Sequence, residues 1–326
     1  MLVSLRNRSI LGLDRRTALL ILTGIMSLFV IWHYSETIPE ETYVYSTDFV
    51  KPYLSTCSIS ELPNHRAPLK LYSLCFSDQV FGNPKTIPFL FSVLLFPVTF
   101  LLASRICKNY TCGVMACSLL LGSKIIGLLG PTMAFSPDWA LLFMGSIYAI
   151  YRKPVLVGPL FFGSMAMKGL GFLLTPVLLY WIISADISKK SKIISCVSVG
   201  LATIVIFGLW LSGNSLIIQQ DGFKVNFDQA GYGLEQILYM FRHDQIQYLL
   251  IPVSLVNLFL MRKNPNAKSL LYMSLGWIAL VFLLPVFSIY QMYDYRMIPL
   301  IIFSGIGCAM IPLNPHFKKI KKFNIQ

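Results

Sequence analysis

Apolar blocks about as long as a bilayer crossing recur along this chain, and that recurrence limits the fold more than any single motif. A membrane helix needs roughly 17–25 mostly apolar residues. Blocks of this kind lie at 17–34, 86–104, 111–130, 138–151, 154–168, 170–184, 193–212, 247–261, 269–289 and 295–313. Hydrophobic residues make up 56% of the chain and charged residues only 13%, whereas a soluble domain carries about 25% charge. The expected fold is all-α: a polytopic transmembrane helical bundle of about nine or ten spans, because only helices satisfy the backbone inside lipid without closing a barrel. Residues 154–184 hold Gly158, Pro159, Gly163, Gly169, Gly171 and Pro176, and read as two short spans or one re-entrant hairpin. Residues 1–313 then form one transmembrane module and 314–326 a short basic cytoplasmic tail.

Charge sets the expected orientation. Arg6, Arg8, Arg15 and Arg16 precede the first block, and the bulky, polar "HYSETIPEE" follows it. With no small-residue cleavage site there, the block reads as a retained signal-anchor. An N-terminus in the cytoplasm puts 18 of the 27 basic residues in cytoplasmic segments, with Asp14 and Asp186 as the acids beside them. That is the positive-inside pattern, and it accounts for most of the net charge of +13. No basic stripe is interleaved with aromatics on a soluble face, so no nucleic-acid partner is implied. The expectation is a multi-pass protein of the plasma membrane with both termini cytoplasmic. Twelve of the 14 acids then lie on the outer side. Acids contribute little to topology, so the polar chemistry is expected to face outward.

Two outer segments are long, 35–85 and 213–246. In the first, "LKLYSLCFSDQVFG" spaces Leu69, Tyr72, Leu74, Cys75 and Phe76 roughly as a helix does, and Gly82 closes it. This predicts a juxtamembrane helix with its apolar face turned to the bilayer. A similar short helix is expected near 233–243. Cys57 and Cys75 share the first loop and either pair in an oxidising compartment or stay as two thiols. The other cysteines read as small apolar residues.

Ionisable groups near membrane depth are candidates for function, and several lie at the outer ends of the blocks. Asp48 sits in "YSTDFVKPY", and His65 and Arg66 follow in the same loop. Asp138 opens "SPDWALLF", where Ser136, Pro137 and Asp138 also make a good helix start. Lys168 lies in "MKGLG", and Asp294 and Arg296 in "YQMYDYRMIPL". A carboxylate can take the proton of an acceptor hydroxyl, while Arg and Lys hold a phosphate as it leaves. An interfacial pocket suits a ligand with a lipid tail and a polar head. Together these describe sugar transfer from a lipid-phosphate donor without a nucleotide. His243 and Asp244, with His65 and Asp48, could hold a divalent cation, although their spacing is no metal motif. No other cofactor is implied.

The order of these features resembles the GT-C superfamily of membrane glycosyltransferases. The nearest likeness is to its protein-O-mannosyltransferase-like, aminoarabinose-transferase-like and polyprenyl-phosphate-mannose-dependent members. "NHRAPLKLYSLCFSDQVFG" resembles the family's H-P-P-L-x-Y…L-F-G segment, and "SPDWALLF" its S-x-D-x-x-x-x-F segment. "FGSMAMKGLGFLLTPVLL" resembles the G-x-A-x-x-x-K-G…P stretch, and "YDYRMIPLI" the closing R-Y/P pattern. The resemblance implies Asp48 as catalytic base and Asp138 as a second active-site carboxylate. It implies that His65, Arg66, Lys168 and Arg296 contact the donor phosphate. The partners it implies are a polyprenyl-phosphate-linked sugar, mannose-like hexose favoured, and an acceptor glycan, lipid or protein. The family's usual Asp-Glu pair is Asp48-Phe49 here, and the first proline of P-P-L is Ala67. A transporter or lipid flippase, and a non-catalytic GT-C-like scaffold, are the competing readings; neither paired repeats nor a midplane charge cluster, which mark many transporters, is visible in the chain.

Overall fold

The computed structural model describes residues 12–35, 50–57, 68–130, 132–133, 136–168, 174–211, 227, 231–286 and 294–314. All regular elements among them are helical. In chain order they are α1 (Arg15–Ser35), α2 (Lys51–Thr56), α3 (Pro68–Phe81), α4 (Thr86–Cys107), α5 (Tyr110–Leu121), α6 (Lys124–Leu129) and α7 (Asp138–Arg152). There follow α8 (Val157–Met167), α9 (Thr175–Ser184), α10 (Lys189–Leu211), α11 (Gly231–His243), α12 (Gln247–Leu260), α13 (Pro265–Val286) and α14 (Ile298–Ala309). A short 3₁₀ turn, Asp294–Met297, leads into α14.

Among the described residues four helices are long and apolar enough to cross a membrane, Arg15–His33, Thr86–Cys107, Lys189–Leu209 and Pro265–Leu283, against the nine or ten spans expected. Of the other expected blocks, five hold shorter apolar helices, Tyr110–Leu121, Pro154–Met167, Thr175–Ser184, Gln247–Leu260 and Ile298–Leu313, and 138–151 holds α7. Helix α7 has 15 residues, which at 1.5 Å each reaches about 22 Å, less than the roughly 30 Å of a hydrocarbon core. Residues 154–184 hold two separate helices, α8 and α9, of 11 and 10 residues. The expected block 111–130 is broken into α5 and α6. Gly122 ends the first, and Ser123 caps the second by accepting the Ile126 N–H at 3.4 Å.

Contacts gather the helix ends into two groups, called inner and outer after the charge expectation. At the inner end the Leu13 N–H reaches Thr111 Oγ1 at 3.1 Å, joining the start of α1 to the start of α5. There Trp181 Nε1 donates to Tyr151 Oη at 3.0 Å, and Tyr151 Oη to Asn266 Oδ1 at 3.2 Å. Asn314 Nδ2 donates to Asn257 Oδ1 at 2.8 Å, and the Ser184 and Ser269 hydroxyls meet. Gly158 brings α8 against α10 so closely that its N–H bonds Ser198 Oγ at 2.8 Å, and a Cβ there would overlap the Ser198 hydroxyl and carbonyl. At the outer end Ser92 Oγ donates to the Gly130 carbonyl at 2.7 Å, joining the start of α4 to the end of α6. The core between the ends is aromatic and aliphatic, with Trp139, Trp181, Trp277, Phe96, Phe143 and Phe161 fully buried.

The two expected loop helices are present as α3 and α11. Gly82, at φ +65°, ends α3 in the left-handed conformation that glycine adopts without strain. The apolar face expected on α3 divides in two. Leu71, Leu74 and Cys75 turn inward and build a small core with Val50, Tyr53 and Met133. Leu69, Phe76, Val80 and Phe81 remain exposed. The reason is a partner within the protein: α2 covers the inward face, and the Cys57–Cys75 disulfide ties the end of α2 to α3 with Cα atoms 5.9 Å apart. Burial in this small core pushes the Tyr53 hydroxyl above its ordinary pKa, with nearby Tyr72 adding to the effect.

Candidate functional site

The site is easiest to build from the first turn of α7. Pro137 occupies the N-cap position and Asp138 the first helical position. An acid is favoured there because the first N–H groups of a helix lack acceptors. Asp138 Oδ1 accepts the Trp139 N–H at 2.8 Å. Its other oxygen, Oδ2, accepts the Ser136 hydroxyl at 3.2 Å and lies 3.3 Å from Lys70 Nζ. Lys70 Nζ also donates to Ser136 Oγ at 3.0 Å. The side chains of Lys70 and Asp138 are only 5% and 2% exposed, so the pair is held away from solvent. An ammonium has three N–H bonds. Asp138 and Ser136 take two of them, which leaves one for a further acceptor.

Trp139 connects this pair to two other expected site residues. Its carbonyl accepts the Ser164 hydroxyl at 2.9 Å, and the Ser164 carbonyl accepts the N–H of Lys168 at 2.9 Å. Lys168 is thereby fixed, half-buried, at the end of α8. The Trp139 ring stacks on Trp277 with centroids 5.8 Å apart, and Trp277 Nε1 donates to the Arg296 carbonyl at 3.0 Å. Arg296 is buried. Backbone links and one ring stack thus connect Asp138, Lys168 and Arg296, far apart in sequence, to Trp139 and its indole. The N–H of that indole, Trp139 Nε1, is buried and has no hydrogen-bond acceptor.

Asp48, His65 and Arg66 lie outside the described residues. In sequence Asp48 comes two positions before the buried Val50, and His65 and Arg66 fall between the bridged Cys57 and Cys75. Asp294 begins the turn that carries Arg296.

A second buried carboxylate, Asp244, sits between α11 and α12. It accepts the Ser123 hydroxyl and, at 3.5 Å, Gln247 Nε2. This pins the break between α5 and α6 to the α11–α12 turn. Neighbouring His243 is exposed, with Nδ1 3.0 Å from the Tyr239 carbonyl. Among the described residues no three His, Cys, Asp or Glu side chains group as metal ligands.

Sequence reasoning passed over Lys70, Ser136 as its partner, and the Trp139–Trp277 stack. One signal for Lys70 was available: it lies one position before Leu71 and four before Leu74, on the face that is buried. No protein-family model matches the chain, and no curated protein is similar to it.

Proposed function

We propose that this chain is a polytopic glycosyltransferase of the GT-C type. In this reading it moves a sugar, mannose-like hexose favoured, from a polyprenyl-phosphate donor to an acceptor hydroxyl on the extracytoplasmic face. The observation that carries the reading is the buried Lys70–Asp138 pair beside Trp139, with Lys168 and Arg296 linked through their backbones to Trp139 and to its stacking partner Trp277. A leaving lipid phosphate needs buried positive charge and N–H donors of this kind.

Two further features agree. Hydrogen bonds between distant segments gather helix ends into two groups, which supports a bundle of alternating helices. The disulfide lies at the end that the loop charges put outside, where the compartment is oxidising. The short helices are then partial crossings packed among longer ones.

The reaction is a single inverting displacement. Asp48 takes the acceptor hydroxyl proton as the acceptor oxygen attacks the anomeric carbon. The bond from that carbon to the phosphate oxygen breaks, and the lipid phosphate leaves against Arg66, His65, Lys168 and Arg296. Asp138 contributes by holding charge in place beside them.

The test is transfer from a short-chain polyprenyl-phosphate mannose by purified protein in lipid nanodiscs. Asp48→Asn is expected to cut turnover by about 10²–10⁴-fold, the usual worth of a general base, while donor binding persists. Unchanged turnover in a correctly inserted Asp48→Asn protein would remove Asp48 from the mechanism.

A further inference from the structure

Resting on the lipid-phosphate reading above, we infer that Lys70 is the residue that receives the donor phosphate, and that Asp138 is its resident counter-ion. Three observations lead there. The Lys70 ammonium is buried, where an isolated charge is costly. Asp138, at 3.3 Å, offsets that cost. The ammonium nonetheless retains an N–H beyond those given to Asp138 and Ser136.

The surroundings favour an anion as the third partner. Trp139 Nε1, on the residue next to Asp138, is a buried donor with no acceptor. A buried donor left without an acceptor is costly. The buried Arg296 is joined to the same indole pair through its own carbonyl. Lys70 and Trp139 Nε1 thus hold N–H donors that Asp138 and Ser136 do not take up. A phosphate monoester or diester supplies charged acceptors for them, whereas a sugar hydroxyl is a neutral acceptor that brings a donor of its own, and a cation brings no acceptor. The apolar side chains of α3 left exposed, Leu69, Phe76, Val80 and Phe81, give a lipid-borne phosphate an approach along the helix that carries Lys70.

The two members of the ion pair thus have opposite effects on the ligand. Lys70 attracts the phosphate; Asp138 competes with it for the same ammonium. A pair serving only to fasten α3 to α7 would lose function equally from either side. That difference makes the test.

Farnesyl phosphate, farnesol and inorganic phosphate are titrated into purified protein, with tryptophan fluorescence as the readout of Trp139 and Trp277. Wild type is expected to bind farnesyl phosphate far better than farnesol or inorganic phosphate. The double variant Lys70→Met/Asp138→Asn removes both charges together, so no buried charge is left alone and the fold is retained. It is expected to lose about tenfold to a hundredfold in farnesyl phosphate affinity, the worth of a charged hydrogen bond. Asp138→Asn alone is expected to bind farnesyl phosphate as tightly as wild type or more tightly.

Wild-type affinity in the folded double variant overturns the role of Lys70. Equal losses in Asp138→Asn and Lys70→Met overturn the counter-ion role. Neither result touches the lipid-phosphate reading. That reading falls if wild type itself fails to distinguish farnesyl phosphate from farnesol, or from inorganic phosphate.

Discussion

At the inner end of the bundle, Trp181 donates to Tyr151, Tyr151 to Asn266, and Asn266 Nδ2 to the Ile106 carbonyl at 3.5 Å. These buried groups are neutral, and each finds its partner. The inner ion pair, Lys108 with Asp186 at 3.7 Å, stands in solvent with both side chains about two-thirds exposed (68% and 66%). At the outer end the arrangement is reversed. The ion pair is buried, and a neighbouring indole N–H has no acceptor. Neutral, satisfied networks hold a structure together at little risk. A buried ion pair gives no such economy: hydrophobic residues of the same volume often do as well or better. Among the described residues the buried ion pair lies at the outer end alone, which a ligand-binding role for that end would explain.

Three substitutions would break or sharpen this contrast. The largest effect is expected at Lys70. Lys70→Met leaves Asp138 buried without its cation and should cost about 3–5 kcal/mol, whereas Lys70→Met/Asp138→Asn should recover most of that loss. Denaturant or thermal unfolding in detergent measures both, and equal stabilities of the single and double variants would mean that the pair is not buried as described. Next comes the disulfide. Replacing Cys57 and Cys75 by Ser opens a loop with a sequence separation of 18 and should cost about 3 kcal/mol in the chain-entropy account. The loss should show as protease cleavage within α2–α3, with the inner end still protected; uniform cleavage at both ends would dissolve the distinction between them. The smallest effect is expected at Lys108→Ala, which removes an exposed pair worth about 0–1 kcal/mol. A drop well beyond that range would mean that the inner end, too, depends on charge.

Much of this architecture was legible before folding was considered. The apolar blocks marked where the helices lie, and "LKLYSLCFSDQVFG" with its closing Gly82 marked α3. The second loop helix appeared close to its expected place, at Gly231–His243. What periodicity missed was which apolar positions of α3 face inward. Leu74 and Phe76 looked alike in the sequence, but α2 covers only one of them. Helix length was also overestimated in one block, where Gly122 interrupts 111–130. Hydropathy registers composition and is blind to a local break.

The candidate site was legible only in part. Asp138 stood out as a helix-starting acid, and Lys168 and Arg296 as cations at block ends. Their connection through Trp139 and Trp277 depends on contacts between helices that no local pattern encodes. Lys70 finds Ser136 across 66 residues of chain, and a lone lysine flanked by Leu69 and Leu71 gives no sign of where its partner is.

By itself, then, the sequence determined the helical class, the block order and the asymmetry of charge between the two ends, because the hydrocarbon solvent constrains each segment separately. Only the tertiary structure decided that Lys70 and Asp138 meet out of water, that Cys57 closes on Cys75, and that α3 has an inward face. Those outcomes come from packing between distant segments, where a charge is tolerated only if the fold delivers its partner.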